Sequence, residues 1–113
     1  MDKKFKKIKD SSPKNQCYCF AFGVPNEELE YIFSVFHFIY FPVLKNPQVG
    51  DIVLFSKLPN SNISHSAVIY KPNDNLQDII CHCTFLGQSG IFEMKLSDTP
   101  VEFGRICKIY RRK

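Results

Sequence analysis

The apolar positions of this chain fall into short runs divided by polar, Gly- and Pro-bearing stretches, and the runs change character between the two halves. Residues 17–22 are continuously apolar and stop at Gly23, with Pro25 beyond. Gly just past the last apolar residue and Pro soon after are helix-stop signals, so the run predicts a short buried helix. A run of this length also fits a buried strand, and periodicity alone does not separate the two. Asn26 is placed to cap a second helix, over about 27–38, whose first turn carries Glu27, Glu28 and Glu30 where the helix dipole favours negative charge. Pro42 and Pro47 fence a loop.

From Gly50 onward the runs shorten to strand length. Residues 52–55, 66–70, 78–85, 91–94 and 105–110 are apolar or alternating, and the polar loop 59–64 and the turn cluster Pro72-Asn73-Asp74-Asn75 separate the first three. Helices first and then a meander of four to five strands predict an α+β layout, with N-terminal helices packed on an antiparallel sheet. Residues 1–12 read as a basic flexible segment, either a tail or a weakly anchored strand around Phe5 and Ile8, and residues 13–113 as one domain.

Composition supports a folded unit. The chain has 113 residues, 44% hydrophobic and 14% aromatic with eleven Phe, five Tyr and no Trp, which is enough apolar matter for a core and rules out wholesale disorder. The net charge of +4 sits mostly at the two ends, in Lys3, Lys4, Lys6, Lys7, Lys9 and Lys14 and in Arg105, Lys108, Arg111, Arg112 and Lys113. Such ends could suit an anionic partner such as nucleic acid, a membrane surface or cell-wall polymer, but the expected reading is solvated termini that aid solubility, and no nucleic-acid partner is expected. Polar residues 10–16 stand where a signal peptide needs its apolar core, and the longest apolar run, 31–44, is shorter than the ~20 residues of a membrane span. The expectation is a cytoplasmic protein, or one delivered or exported without a readable signal, with no transmembrane segment.

The five cysteines, at 17, 19, 81, 83 and 107, are an odd number, which favours reduced thiols over a disulfide framework. Their Cys-x-Cys spacing is tighter than structural zinc sites use, so no metal and no cofactor is expected. A thiol at a helix start is a different matter, because the dipole stabilises a thiolate. Cys17 holds that position. Its backbone N–H with Asn15 or Gln16 forms a candidate oxyanion or substrate contact, while Cys19 falls inside the helix as core.

A thiol nucleophile needs a base, and the histidines are His37, His65 and His82. His37 lies between Phe36 and Phe38 in the second helix, whereas His65 stands at the mouth of a strand after a polar loop, both rigid and reachable. His65 is the expected base. If the following hairpin turns about Asp74-Asn75, Ala67 faces His82 and His65 faces Thr84, which puts either His82 or Thr84 in place to hold the other ring nitrogen. A one-residue slip instead puts Cys83 beside His65.

In order and context these pieces resemble the NlpC/P60 and CHAP families of papain-like cysteine peptidases and amidases. The matching stretches are Gln16-Cys17-Tyr18-Cys19-Phe20-Ala21, then Pro47-Gln48-Val49-Gly50-Asp51-Ile52-Val53-Leu54-Phe55, then Ser64-His65-Ser66-Ala67-Val68-Ile69-Tyr70. Ile80-Cys81-His82-Cys83 is similar to the strand bearing the third residue in NlpC/P60 chains, while Gln16-Cys17 looks more like the CHAP form. The resemblance implies a papain-like fold, Cys17 as nucleophile, His65 as base and His82 as third catalytic residue. It also implies hydrolysis of an amide or isopeptide bond in a peptide or peptidoglycan-like substrate of bacterial or phage context. A deamidase or acyltransferase effector uses the same residues, and a non-catalytic binding module keeps the fold without the chemistry.

Overall fold

In a computed structural model, residues 6–9, 21–23, 26–58, 63–85 and 90–113 are described. Seven strands form one sheet: β1 (Lys6–Lys9), β2 (Tyr40–Pro42), β3 (Ile52–Ser56), β4 (Ile63–Lys71), β5 (Ile80–Cys83), β6 (Ile91–Lys95) and β7 (Ile106–Arg112). Their spatial order is β1-β6-β5-β4-β3-β7-β2, and every neighbouring pair is antiparallel. Two short helices, α1 (Leu29–Ser34) and α2 (Phe36–Ile39), precede β2.

This corrects the expected architecture. The papain-like layout of N-terminal helices on four to five strands gives way, among the described residues, to a seven-stranded antiparallel sheet with two short α-helices. The five expected strands are present as β3 to β7, the strand alternative around Ile8 is present as β1, and β2 is an addition; β1 and β2 are the two edge strands. Lys6-Lys7-Ile8-Lys9 pairs with β6 with every residue exposed, and lysine on an edge discourages a further chain from adding there. At the other edge Pro42 closes β2, because a residue without an N–H is tolerated where no further strand accepts from it.

The second helix is broken rather than continuous. Residues Asn26–Glu28 form a 3-10 turn, and α1 begins without a side-chain cap at Glu28. It ends at β-branched Val35 (φ −110°, ψ 12°), and the Ser34 hydroxyl donates back to the Tyr31 carbonyl at 2.7 Å, a contact that bends helices. Of the expected first helix, positions 17–20 lie outside the described residues; Ala21 and Phe22 are helical and Gly23 follows as a turn.

Alternation along β3 explains the two-sided core. Val53 and Phe55 point to one face, where they cluster with Ala67, Ile69, Ile79, Cys81, Cys83, Phe85, Phe92, Met94, Leu96 and Ile109. Ile52 and Leu54 point to the other, where Phe22, Leu29, Ile32, Phe36 and Tyr40 cover them. The second face is called the helix face below.

Candidate active site

Cys17, Asn15 and Gln16 lie outside the described residues. His65, His82 and Thr84 lie within them, and the β4–β5 register decides how they relate.

That register is one residue away from the expected hairpin pairing. His82 pairs with Val68 and Cys81 with Ile69, where the turn-centred count puts His82 opposite Ala67. The turn is longer than two residues: Asn75 caps a 3-10 segment, Leu76–Asp78, by accepting from the Gln77 N–H at 3.1 Å. Because strand side chains alternate, the slip puts His65 and His82 on opposite faces.

His65 pairs with Phe55 and faces the cluster that contains Phe55, Cys81 and Cys83. Its ring is parallel to those of Phe103 (centroids 4.2 Å, 13°) and Phe85 (5.5 Å, 5°), with Phe55 tilted at 5.6 Å. Phe103 is pinned in turn, its carbonyl accepting from the Ser64 hydroxyl at 3.0 Å. Only 2% of His65 is exposed, and its buried Nε2 has no hydrogen-bond partner among the described residues. Burial pushes its pKa down to about 4, because imidazolium loses its hydration there. At neutral pH it is an uncharged ring in a phenylalanine box.

His82 has a different setting. It pairs with Val68 on one side and Glu93 on the other, and Val68 pairs with Ile52, which places all four on the helix face. His82 Nε2 lies 3.1 Å from Glu93 Oε1, and the two side chains are 16% and 30% exposed. The ring stacks on Tyr70 at 4.1 Å and 18°. An imidazole fixed by stacking, with Nε2 donating to a carboxylate, has a defined tautomer in which Nδ1 is the acceptor of the ring.

Thr84 follows β5 and is fully buried, as is Ser66, which pairs with Leu54 on the helix face. The hydroxyl oxygen of each lacks a hydrogen-bond partner among the described residues. Thr84 is therefore not brought together with His65 as a holder of its ring.

Sequence reasoning missed Glu93. The alternation Ile91-Phe92-Glu93-Met94 puts Glu93 opposite the buried Phe92 and Met94, and a polar residue recurring on the same face as His82 was the available signal. The Gly50-Asp51 motif resolves into a structural clamp. Asp51 is buried and accepts from the Gln48 N–H at 2.8 Å and from Arg111 Nε and Nη2 at 2.8 and 2.9 Å.

The remaining thiols divide by exposure. Cys81 is buried and its pKa is pushed up to about 12 by burial, with a smaller contribution from Cys107, whereas Cys107 is exposed. Among the described residues no group of three His, Cys, Asp or Glu is gathered as metal ligands, and no helix is long and apolar enough to cross a membrane. Comparison with known proteins finds no matching family model, no matching curated protein and no matching solved structure.

Proposed function

We propose that the chain is a thiol hydrolase in which Cys17 attacks an amide or isopeptide carbonyl, with a histidine of the sheet as its proton acceptor. The supporting observation is that interior strands β4 and β5, which follow Gly50-Asp51, each hold a ring-stacked imidazole, His65 on Phe103 and His82 on Tyr70. A fixed imidazole is the requirement for drawing a proton from a thiol, and a thiolate is the nucleophile. The acyl group passes to sulfur, the amine leaves, and water hydrolyses the thioester. The order of Cys17, Gly50-Asp51 and His65, similar to that of NlpC/P60 and CHAP chains, makes a peptide, and cell-wall peptide in particular, the substrate class.

The test uses iodoacetamide and site-by-site mass mapping of the full chain. Cys17 should be alkylated at least tenfold faster than exposed Cys107 at pH 6.5. Equal rates at the two sites would defeat the proposal. A second reading, a binding module without catalysis, is favoured by the burial of His65, the histidine that the resemblance makes the base. On that reading Cys17→Ala leaves ligand capture and every cellular phenotype unchanged.

A further inference from the structure

We infer that the surface turn Val101–Phe103 is a hinged cover over His65, which swings away when the ring takes up a proton and so bares an imidazolium in an apolar mouth. The cover stands whether or not Cys17 is a nucleophile, because every group in it belongs to the sheet or to the turn.

Three observations carry it. The first is the closed state itself. The Phe103 ring lies over the His65 ring at 4.2 Å and 13°, while Phe85 lies beside both, parallel to His65 within 5° and 6.1 Å from Phe103. Beneath the turn His65 is buried, and its Nε2 has no hydrogen-bond partner among the described residues. A ring nitrogen left so is a standing cost of the closed form, and water that reaches it on opening removes that cost.

The second observation is how the turn is mounted. Its own hydrogen bonds, from the Phe103 N–H to the Pro100 carbonyl at 3.1 Å and from the Gly104 N–H to the Val101 carbonyl at 3.0 Å, hold it together as one piece. Among the described residues it is tied to the sheet by a single neutral hydrogen bond, from the Ser64 hydroxyl to the Phe103 carbonyl at 3.0 Å. Fixed points bracket it. The Thr99 hydroxyl and N–H both donate to the Leu96 carbonyl, and Ile106 pairs with Ser56 in the sheet. Between them stands Gly104 (φ 100°, ψ 162°), in a region of backbone space that glycine alone enters freely, so the exit of the turn can rotate where another residue could not.

The third is the surface about the turn. Leu58 and Val101 are 65% and 63% exposed, and Ile63, which pairs with Ser56 at the start of β4, is exposed as well. Gly104 lies against the backbone of Ser56 and Lys57, and Ser64 bonds Phe103, so these apolar side chains neighbour the cover.

Protonation supplies the drive. Imidazolium among phenylalanines forgoes its hydration, so burial holds the closed pKa at about 4 against 6.5 for a ring in water. The proton thus favours the open form over the closed one by ~300-fold, tenfold for each pH unit between those values. What the ring contributes to closure is complete above pH 6.5 and is lost as pH falls to about 4. Phe55 and Phe85 belong to the buried cluster, which leaves the turn as the part of the surroundings that moves at least cost. The titratable groups on the His65 face are the thiols of Cys81 and Cys83 on β5 and of Cys107 on β7, all neutral in acid, and the Asp51 carboxylate, which Arg111 already holds. Lys57 after β3, Glu102 in the turn and Arg105 beyond it are exposed.

The experiment follows the full chain by NMR from pH 7.5 to 3.5, reading ring-to-ring nuclear Overhauser contacts between His65 and Phe103, with the contacts of Phe55 in its cluster as the reference for an intact sheet. In the wild type the His65–Phe103 contact should fade as His65 titrates, with one shared midpoint between about 4 and 6.5, while the Phe55 reference holds. Ser64→Ala removes the tie to the sheet, so it should make the open form severalfold more populated at pH 5 and move the midpoint upward. His65→Phe, or His65→Gln should the mouth reject a further phenylalanine, should keep residue 103 in place across the range. Glu102→Gln should leave the midpoint where it is. Titration of His65 with Phe103 still stacked on it overturns the proposal, as does a His65 that stays neutral and stacked down to pH 3.5. So does a loss of the contact that coincides with loss of the Phe55 reference, which is global unfolding, or an opening that persists in the His65 variants.

Discussion

Arg111 on β7 grips the buried carboxylate of Asp51 with two parallel hydrogen bonds, Nε to Oδ1 at 2.8 Å and Nη2 to Oδ2 at 2.9 Å. Nη2 also donates to the Asn46 carbonyl at 3.2 Å, and the Asp51 N–H donates to the Gln48 carbonyl at 3.1 Å. One acid thus ties the entry of β3 to the neighbouring strand β7 and to the loop before it. The bonds to Asp51 are also what raises the Arg111 pKa.

The clamp predicts that Asp51→Ala destabilises the fold by about 2 to 3 kcal/mol, because it strands the Gln48 N–H and a partly covered guanidinium together. For a domain of this size that is a fall in Tm on the order of 10 °C. Arg111→Lys should also destabilise, since an ammonium does not reproduce the two-point grip. Thermal unfolding followed by circular dichroism checks both, and an unchanged Tm in Asp51→Ala would show the clamp to be idle.

His65 predicts a pH dependence. Its folded pKa of about 4 lies below the ordinary value of 6.5, so the unfolded chain binds the proton more readily. Stability from this group is complete above pH 6.5 and is lost as pH falls from about 6.5 to about 4. The full shift corresponds to on the order of 3 kcal/mol at ~1.4 kcal/mol per unit. Urea midpoints at pH 7 and pH 4.5 should converge in His65→Phe relative to the wild type. An NMR titration that puts His65 near 6.5 removes the basis for this expectation.

How far the sequence could be read follows from where the signals lie. The buried strands were legible because β3 is apolar on both faces and β4 is bounded by a polar loop and a turn, patterns set by burial itself. The edge strands were less so. A strand around Ile8 is only one of two readings because Lys6–Lys9 carries three charges in four residues, and Tyr40–Pro42, which ends in proline, gives no strand signal, each for the reason that suits it to an edge. The site divides in the same way. His65 and His82 were identifiable as residues, but their relation depended on a register set by the 3-10 turn at Leu76–Asp78, and one residue of slip separates their faces. Glu93 had no motif, and only pairing across β5 and β6 brings it to His82.

The thiols predict a labelling order in the folded protein. Cys107 is exposed, although burial of part of its surroundings raises its pKa, and it should react slowly at neutral pH and faster as pH rises. Cys81 and Cys83 are fully buried, and the Cys81 thiol, at about 12, stays protonated. Both should resist iodoacetamide until urea unfolds the chain. Labelling of Cys81 under native conditions at the rate of Cys107 would contradict the packing of β5.

Gly104 predicts a sharp steric limit. It follows the 3-10 turn Val101–Phe103 with φ of 100°, and a Cβ there would overlap the Ser56 carbonyl and come within 2.6 Å of the Lys57 nitrogen. These are backbone atoms at the end of β3 and cannot swing aside as a side chain would. Gly104→Ala should therefore cost the conformational penalty of ~1 to 2 kcal/mol for an L-residue with positive φ plus the displacement of a strand end, roughly 3 kcal/mol or more together. Gly23 provides the comparison, since its φ is 68° but a Cβ there meets nothing within 4 Å among the described residues. Gly23→Ala should lose only the conformational part, about 1 kcal/mol. Because Phe103 roofs His65, the larger shift at Gly104 should also raise the His65 pKa toward 6.5, while Gly23→Ala leaves it where it is. Equal losses of stability in the two variants would mean that the turn can move away from Ser56 without cost.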